Sequence, residues 1–210
     1  DERVSAYPRA VTQAIFAALA AGGAAGAVLA ASAGLALDVG DDPRQLAVGN
    51  LDGDGKPDLV TANDDSDDLS VLINESSVGT LAFSPAISIA YGATRAPGSL
   101  EVKDFDNDCI DDVAIGNQHE GGFTLINQGS GRTFATSVFP SVKSTALATG
   151  DFDLDGDFDL IANFLLEENV PVLVNDGSGA VRSNIVCGAG AKVASFQVAD
   201  FDNDQDLDLA

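Results

Sequence analysis

Acidic side chains recur at alternate positions in four nine-residue windows of this chain. The windows are Asn50-Leu51-Asp52-Gly53-Asp54-Gly55-Lys56-Pro57-Asp58, Asp104-Phe105-Asp106-Asn107-Asp108-Cys109-Ile110-Asp111-Asp112, Asp151-Phe152-Asp153-Leu154-Asp155-Gly156-Asp157-Phe158-Asp159 and Asp200-Phe201-Asp202-Asn203-Asp204-Gln205-Asp206-Leu207-Asp208. Each places Asp, or once Asn, at positions 1, 3, 5 and 9. Carboxylates so spaced repel one another unless positive charge sits among them. A hard cation that takes about six to eight oxygens, calcium above all, suits such a set. The windows open at residues 50, 104, 151 and 200, about once per 50 residues, and that recurrence marks a repeat architecture.

The charge balance agrees. The 210 residues carry 33 acids against 10 Lys and Arg, a net charge of −23, and more than half of the acids lie inside the four windows. A solvated acidic surface would give a similar total, but not this concentration in loops. Nucleic acid and anionic membrane surfaces need positive charge and are excluded as partners on this ground. Cys109 and Cys187 lack the close pairing of a zinc or redox motif, so free thiols are expected, with a disulfide the alternative. The single histidine, His119, falls in a turn-like stretch beside Gly121 and Gly122 and is expected on a surface loop.

Residues 10–37 carry no charge and are rich in Ala and Gly. Arg3 and Arg9 precede them, and Ala31-Ser32-Ala33 offers the small residues at which a secretory leader is cut. Residues 1–34 are therefore expected to be a signal-peptide-like or membrane-anchor segment, an apolar N-terminal helix in either case. A buried helix is the alternative. Gly22-Gly23 interrupts the run and weakens the spanning reading.

After Gly40 the pattern changes to short strands. Residues 45–49 lead into the first acidic window, 58–63 lead out, and 69–73 and 81–90 are two further apolar runs. The second unit repeats this over 100–102, 113–115, 123–126 and 133–139, and the third over 146–148, 160–162, 171–174 and 181–186. Asn74, Asn127 and Asn175 follow the third strand of each unit and fix the register independently of the acids. Strand, acidic loop, strand, turn, strand, Gly-rich turn, strand is an antiparallel pattern of the size of a propeller blade. The expected fold is all-β: a partial β-propeller over residues 35–210, with three full four-stranded units and the first half of a fourth.

An EF-hand loop also opens Asp-x-Asp-x-Asp-Gly, but it closes with Glu at position 12 between two helices. Position 12 here is Thr61, Ile115 and Ala162, and the flanks have strand character. The shorter loop within a β-hairpin fits instead, with Gly at position 6 where the chain turns through positive φ. On these residues the chain resembles the FG-GAP and VCBS-type repeats of integrin α-chain propellers and bacterial secreted proteins. The closest phrases are Gly49 to Leu59 and Asp151 to Leu160. The resemblance covers about residues 35–210. Asn50 departs from it at the first position of loop 1, and Cys109 and Gln205 depart at position 6 of loops 2 and 4.

The resemblance implies calcium held on one rim of a propeller outside the cell. The ligands would be Asn50, Asp52, Asp54 and Asp58, with the Lys56 carbonyl; Asp104, Asp106, Asp108 and Asp112, with that of Ile110; Asp151, Asp153, Asp155 and Asp159, with that of Asp157; and Asp200, Asp202, Asp204 and Asp208, with that of Asp206. Loop 3, with four Asp and Gly156, is expected to hold its ion better than loop 2, where Cys109 occupies the turn. The implied function is a calcium-binding, non-catalytic module, secreted or on the cell surface, for adhesion or for recognition of a protein or carbohydrate ligand. An accessory propeller segment of a larger secreted enzyme, such as a polysaccharide-degrading one, is the alternative. Catalysis by this segment has little support: the chain lacks a Gly-x-Ser-x-Gly elbow and a His-Glu-x-x-His helix, and its paired carboxylates have metal-ligand spacing. A membrane would be met only through an N-terminal anchor.

Overall fold

The computed structural model describes residues 37–90, 97–118, 122–138, 144, 146–163, 169–188, 196–204 and 206–209. The expected N-terminal helix, the 1–34 leader and His119 lie outside them. Among the described residues no helix is long and apolar enough to cross a membrane.

The described chain is all-β. Three antiparallel sheets follow one another, each of four strands in sequence order. The first comprises β1 (Pro43–Gly49), β2 (Asp58–Asn63), β3 (Asp68–Leu72) and β4 (Ile87–Ala90). The second comprises β5 (Pro97–Lys103), β6 (Asp112–Asn117), β7 (Phe123–Asn127) and β8 (Phe134–Val138). The third comprises β9 (Ala146–Gly150), β10 (Asp159–Asn163), β11 (Asn169–Asn175) and β12 (Val181–Gly188). A two-stranded ladder of β13 (Val198–Ala199) and β14 (Asp208–Leu209) opens a fourth unit. First strands lie side by side, β1 by β5, β5 by β9 and β9 by β13, so the sheets are stacked like propeller blades.

The second strand of each unit explains the stacking. Asp58–Asn63 and Asp112–Asn117 are buried along their whole length, as is Asp159–Asn163. A strand covered on both faces reads as a continuous apolar run rather than an alternation, and Val113-Ala114-Ile115 and Leu160-Ile161-Ala162 do so. Successive side chains serve opposite faces. Val113 and Ile115 join the cluster shared with unit 1, which includes Leu51, Val60 and Val71. Ala114, between them, joins the cluster shared with unit 3, with Phe105, Leu147 and Leu160. In β10, Ile161 points the other way, to Phe152, Phe196 and Val198 of the next interface. Burying one such large side chain contributes about 1.5–3 kcal/mol.

The apolar run 81–90 becomes a strand only at Ile87. Pro85 has no amide to donate, and the stretch before it is pinned instead by an Asn74–Phe83 bridge and by the Ser84 amide on the Ile73 carbonyl at 2.8 Å.

Candidate metal centre

Each acidic window is the connection of a hairpin between the first and second strands. The residue before position 1 pairs with position 9: Gly49 with Asp58, Lys103 with Asp112, Gly150 with Asp159 and Ala199 with Asp208. The four ligand positions are then aimed inward by one hydrogen-bond scheme.

At position 1, Asp104 accepts from the amides of Asp108 (3.1 Å) and Cys109 (2.8 Å), and Asp151 from those of Asp155 (3.1 Å) and Gly156 (3.0 Å). Asp200 accepts from Asp204, and Asn50 from Gly55. At position 3, Asp52, Asp106, Asp153 and Asp202 each accept from the amide two residues on. At position 5, Asp54, Asp108, Asp155 and Asp204 accept from the amides of Lys56, Ile110, Asp157 and Asp206. Position 7 is thereby folded back onto the loop. Asp and Asn side chains that bond amides two residues ahead form tight turns; two in succession, at positions 3 and 5, with position 1 reaching four or five residues ahead, coil the loop around its own carboxylates.

Position 9 has a second task. Asp58, Asp112 and Asp159 are fully buried. One oxygen of each accepts from the amide of position 2 (Leu51 at 2.7 Å, Phe105 at 2.9 Å, Phe152 at 2.8 Å). The other accepts from the amide of the Asn that follows the third strand (Asn74 at 2.6 Å, Asn127 at 2.6 Å, Asn175 at 2.9 Å). In the fourth unit Asp208 accepts from the Phe201 amide at 2.9 Å. These carboxylates close the loop and tie it to the sheet.

The result is a gathering of oxygens. Carboxylate oxygens of Asp104, Asp106 and Asp108 lie within 4.8 Å of one another, as do those of Asp151, Asp153 and Asp159, and those of Asp200, Asp202 and Asp208. Loop 1 does not form such a group; its first position is the amide Asn50, and the Lys56 ammonium is bonded to the Asp54 carboxylate. That bond draws Asp54 below the usual carboxylate range and raises Lys56. Loops 2 and 3 have no lysine at position 7. Burial pushes the Asp112 carboxyl up to about 7, against its two amide bonds, and raises Asp58 and Asp159 in the same way. Desolvation raises Asp106 and Asp153 as well, with the neighbouring charges of Asp108 and Asp155 adding to it. Charged forms disfavoured at Asp106, Asp112, Asp153 and Asp159 are what a bound cation would relieve. The all-oxygen donor sets fit a calcium-type ion.

Three features were not expected from the sequence. Position 4 takes positive φ in all four loops, at Gly53 (77°), Asn107 (61°), Leu154 (63°) and Asn203 (61°). Gly, Asn and Asn there were a readable signal, since these residues tolerate that region. The Asn after the third strand also reaches across units. Asn127 Nδ2 donates to the Leu51 carbonyl (2.6 Å) and the Asp111 carbonyl (3.0 Å), and Asn175 Nδ2 to those of Phe105 (2.7 Å) and Phe158 (3.1 Å). Finally, Asn63, Asn117 and Asn163 end the three second strands, fully buried. Asn63 bonds Asp68, Ser70 and Thr61. Cys109 is an exposed free thiol.

The FG-GAP-like repeat model matches residues 50–115 and again 104–162, together more than half of the chain. The chain belongs to the FG-GAP-like repeat family. A phosphoribosyltransferase model matches residues 1–60, of which 43–60 form β1, loop 1 and the start of β2. No curated protein matches the chain. Among solved structures it is similar to an Agrocybe aegerita lectin described as recognising non-reducing terminal N-acetylglucosamine, with 22% identity, TM-score 0.49 and coverage of 69% of this chain and 38% of that one. It is also similar to the Photorhabdus luminescens Tc holotoxin pore (15% identity, TM-score 0.47, 74% and 8% covered) and to BBS1N in complex with ARL6DN (17%, 0.48, 78% and 48%). The chain thus spans less than half the length of each.

Proposed function

We propose that this chain is a calcium-binding segment of a β-propeller, secreted or displayed at the cell surface, that recognises a protein or carbohydrate ligand and is not itself catalytic. The observation that carries the calcium reading is the gathering of carboxylate oxygens in loops 2 and 3, where no ion pair among the described residues reaches them. Asp104, Asp106, Asp108 and Asp112 would hold one ion, and Asp151, Asp153, Asp155 and Asp159 another. Asp200, Asp202, Asp204 and Asp208 supply a third set. Asn50, Asp52, Asp54 and Asp58 form the weakest, because Lys56 competes for Asp54. Bound there, the ion neutralises a loop and fixes the turn between two strands of one blade; the role is structural. The net charge of −23 favours a neutral or basic ligand over an anionic one.

Calorimetric titration of the full chain with calcium tests the reading. Saturable binding reversed by a chelator, and reduced in stoichiometry by Asp153→Asn with Asp155→Asn, is the expected result. No saturable heat up to millimolar calcium would overturn it.

A further inference from the structure

Among the described residues, loops 1 and 2 are joined by a pair of bonds that the other loops lack. Asp111, at position 8 of loop 2, holds residue 50 from both sides: its carboxylate accepts from the Asn50 amide at 2.7 Å, and its own amide donates to the Asn50 carbonyl at 3.1 Å. Asn127 adds a third tie, bonding the Leu51 and Asp111 carbonyls together. The approach depends on Gly49, because a Cβ there would sit 2.7 Å from the Asp111 carboxylate and 2.2 Å from Val102. Loops 3 and 4 have Phe158 and Leu207 at the same position, whose side chains have no acceptor for a hydrogen bond. Leu207 packs near Gly150 instead. Loops 2 and 3 share the amide tie, through Asn175 on the Phe105 and Phe158 carbonyls, but in place of the two bonds of Asp111 they have the Asn107 side chain on the Asp157 carboxylate at 2.6 Å.

The placement of Asp111 gives these bonds a consequence. It stands between Ile110 and Asp112, two residues assigned to the ion of loop 2, and it grips Asn50, which supplies position 1 of loop 1. Ordering loop 2 around an ion orders Asp111, and an ordered Asp111 presets Asn50. We propose that Asp111 couples the two loops, so that calcium in loop 2 strengthens calcium binding in loop 1, and by reciprocity the reverse. Loop 1 has the amide at position 1 and the competing lysine, so it gains most from a preset partner. The inference rests on the calcium reading proposed above.

The test follows the loops separately in the full chain, by amide NMR shifts during calcium titration. The Gly55 amide reports loop 1 and the Gly156 amide loop 3. Silencing loop 2 with Asp106→Asn should weaken loop 1 affinity about fivefold or more. In an Asp111→Leu background, which copies the residue of loop 4, the same silencing should leave loop 1 unchanged, while loop 3 still responds. Asp111→Asn keeps an acceptor oxygen and should restore the coupling. A merely structural Asp111 would lower loop 1 affinity without altering its response to loop 2. Two results would overturn the proposal: loop 1 indifferent to Asp106→Asn in the parent chain, or a response that survives Asp111→Leu. Should no amide in any loop shift with calcium, the calcium reading fails and takes the coupling with it, an outcome distinct from independent binding.

Discussion

Strain in the acidic loops is set residue by residue, at positions 4 and 6. Leu154 holds φ of 63° where the other loops have Gly or Asn, and it is largely exposed. A side chain with a Cβ in this region costs roughly 1–2 kcal/mol, least for Asn. Leu154→Asn should therefore stabilise the chain by about 1 kcal/mol, measured as a rise in the urea midpoint with unchanged slope. Cys109 has φ of 70° at position 6, where Gly55 and Gly156 have 81° and 97°. Cys109→Gly should gain less, about 0.5 kcal/mol, because glycine also loses more entropy on folding. A loss of stability in either variant would show that the native side chain makes a contact outweighing the strain. The acids at positions 1, 3, 5 and 9 were legible because their spacing is chemical. The strain at Leu154 was not, because leucine is no marker of positive φ. Nor were the buried Asn63, Asn117 and Asn163, since an Asn at a strand end also reads as a turn residue.

Between elements, the units are held by polar ties as well as by apolar faces. Asn127→Ala would leave the carbonyls of Leu51 and Asp111 without their donor, at a cost of about 2–3 kcal/mol. Asn74 has one such side-chain bond, to the Pro57 carbonyl at 2.9 Å within its own unit, so Asn74→Ala should cost about half as much. Equal losses in chemical denaturation would mean that the inter-unit bonds contribute little. The Gly-Ser-Gly turns before β8 and β12 tuck under the preceding unit. Gly179 takes φ of 71°, its amide reaches the Phe105 carbonyl, and an added Cβ would lie 2.1 Å from Ile126. Gly156 also has positive φ, but nothing lies within 4 Å of its Cβ position. Gly179→Ala should destabilise by about 2–4 kcal/mol and Gly156→Ala by about 1, and matching values would deny the turn its place in the interface. The strands were legible from periodicity and turn residues, and so was the antiparallel order. The reach of Asn127 and Asn175 across units was not. Their recurrence fixed a register, but a sequence does not say which carbonyl an amide side chain meets 76 or 70 residues away. The run 81–90 read as one strand because its apolar content outweighs the single break at Pro85.

For the whole molecule the deciding quantity is a net charge of −23 on a stack of small sheets. Two effects of added salt must be separated. Screening weakens repulsion among all acids alike, and sodium chloride supplies it as well as calcium chloride at matched ionic strength. Site binding acts only where oxygens converge, and it stabilises the folded state by RT ln(1 + [L]/Kd), about 2.7 kcal/mol per site at a hundredfold excess over Kd. For a domain of this size about 1 kcal/mol moves the melting temperature by roughly 2–4 °C. One occupied loop should then raise it by about 5–10 °C, and two by more. Melts in millimolar calcium, in matched sodium chloride and in chelator are expected to differ in that order. Asp153→Asn with Asp155→Asn should remove part of the calcium increment while keeping the sodium increment, because it empties a site but barely changes the total charge. Equal shifts in the two salts would make the acids a screened surface and nothing more.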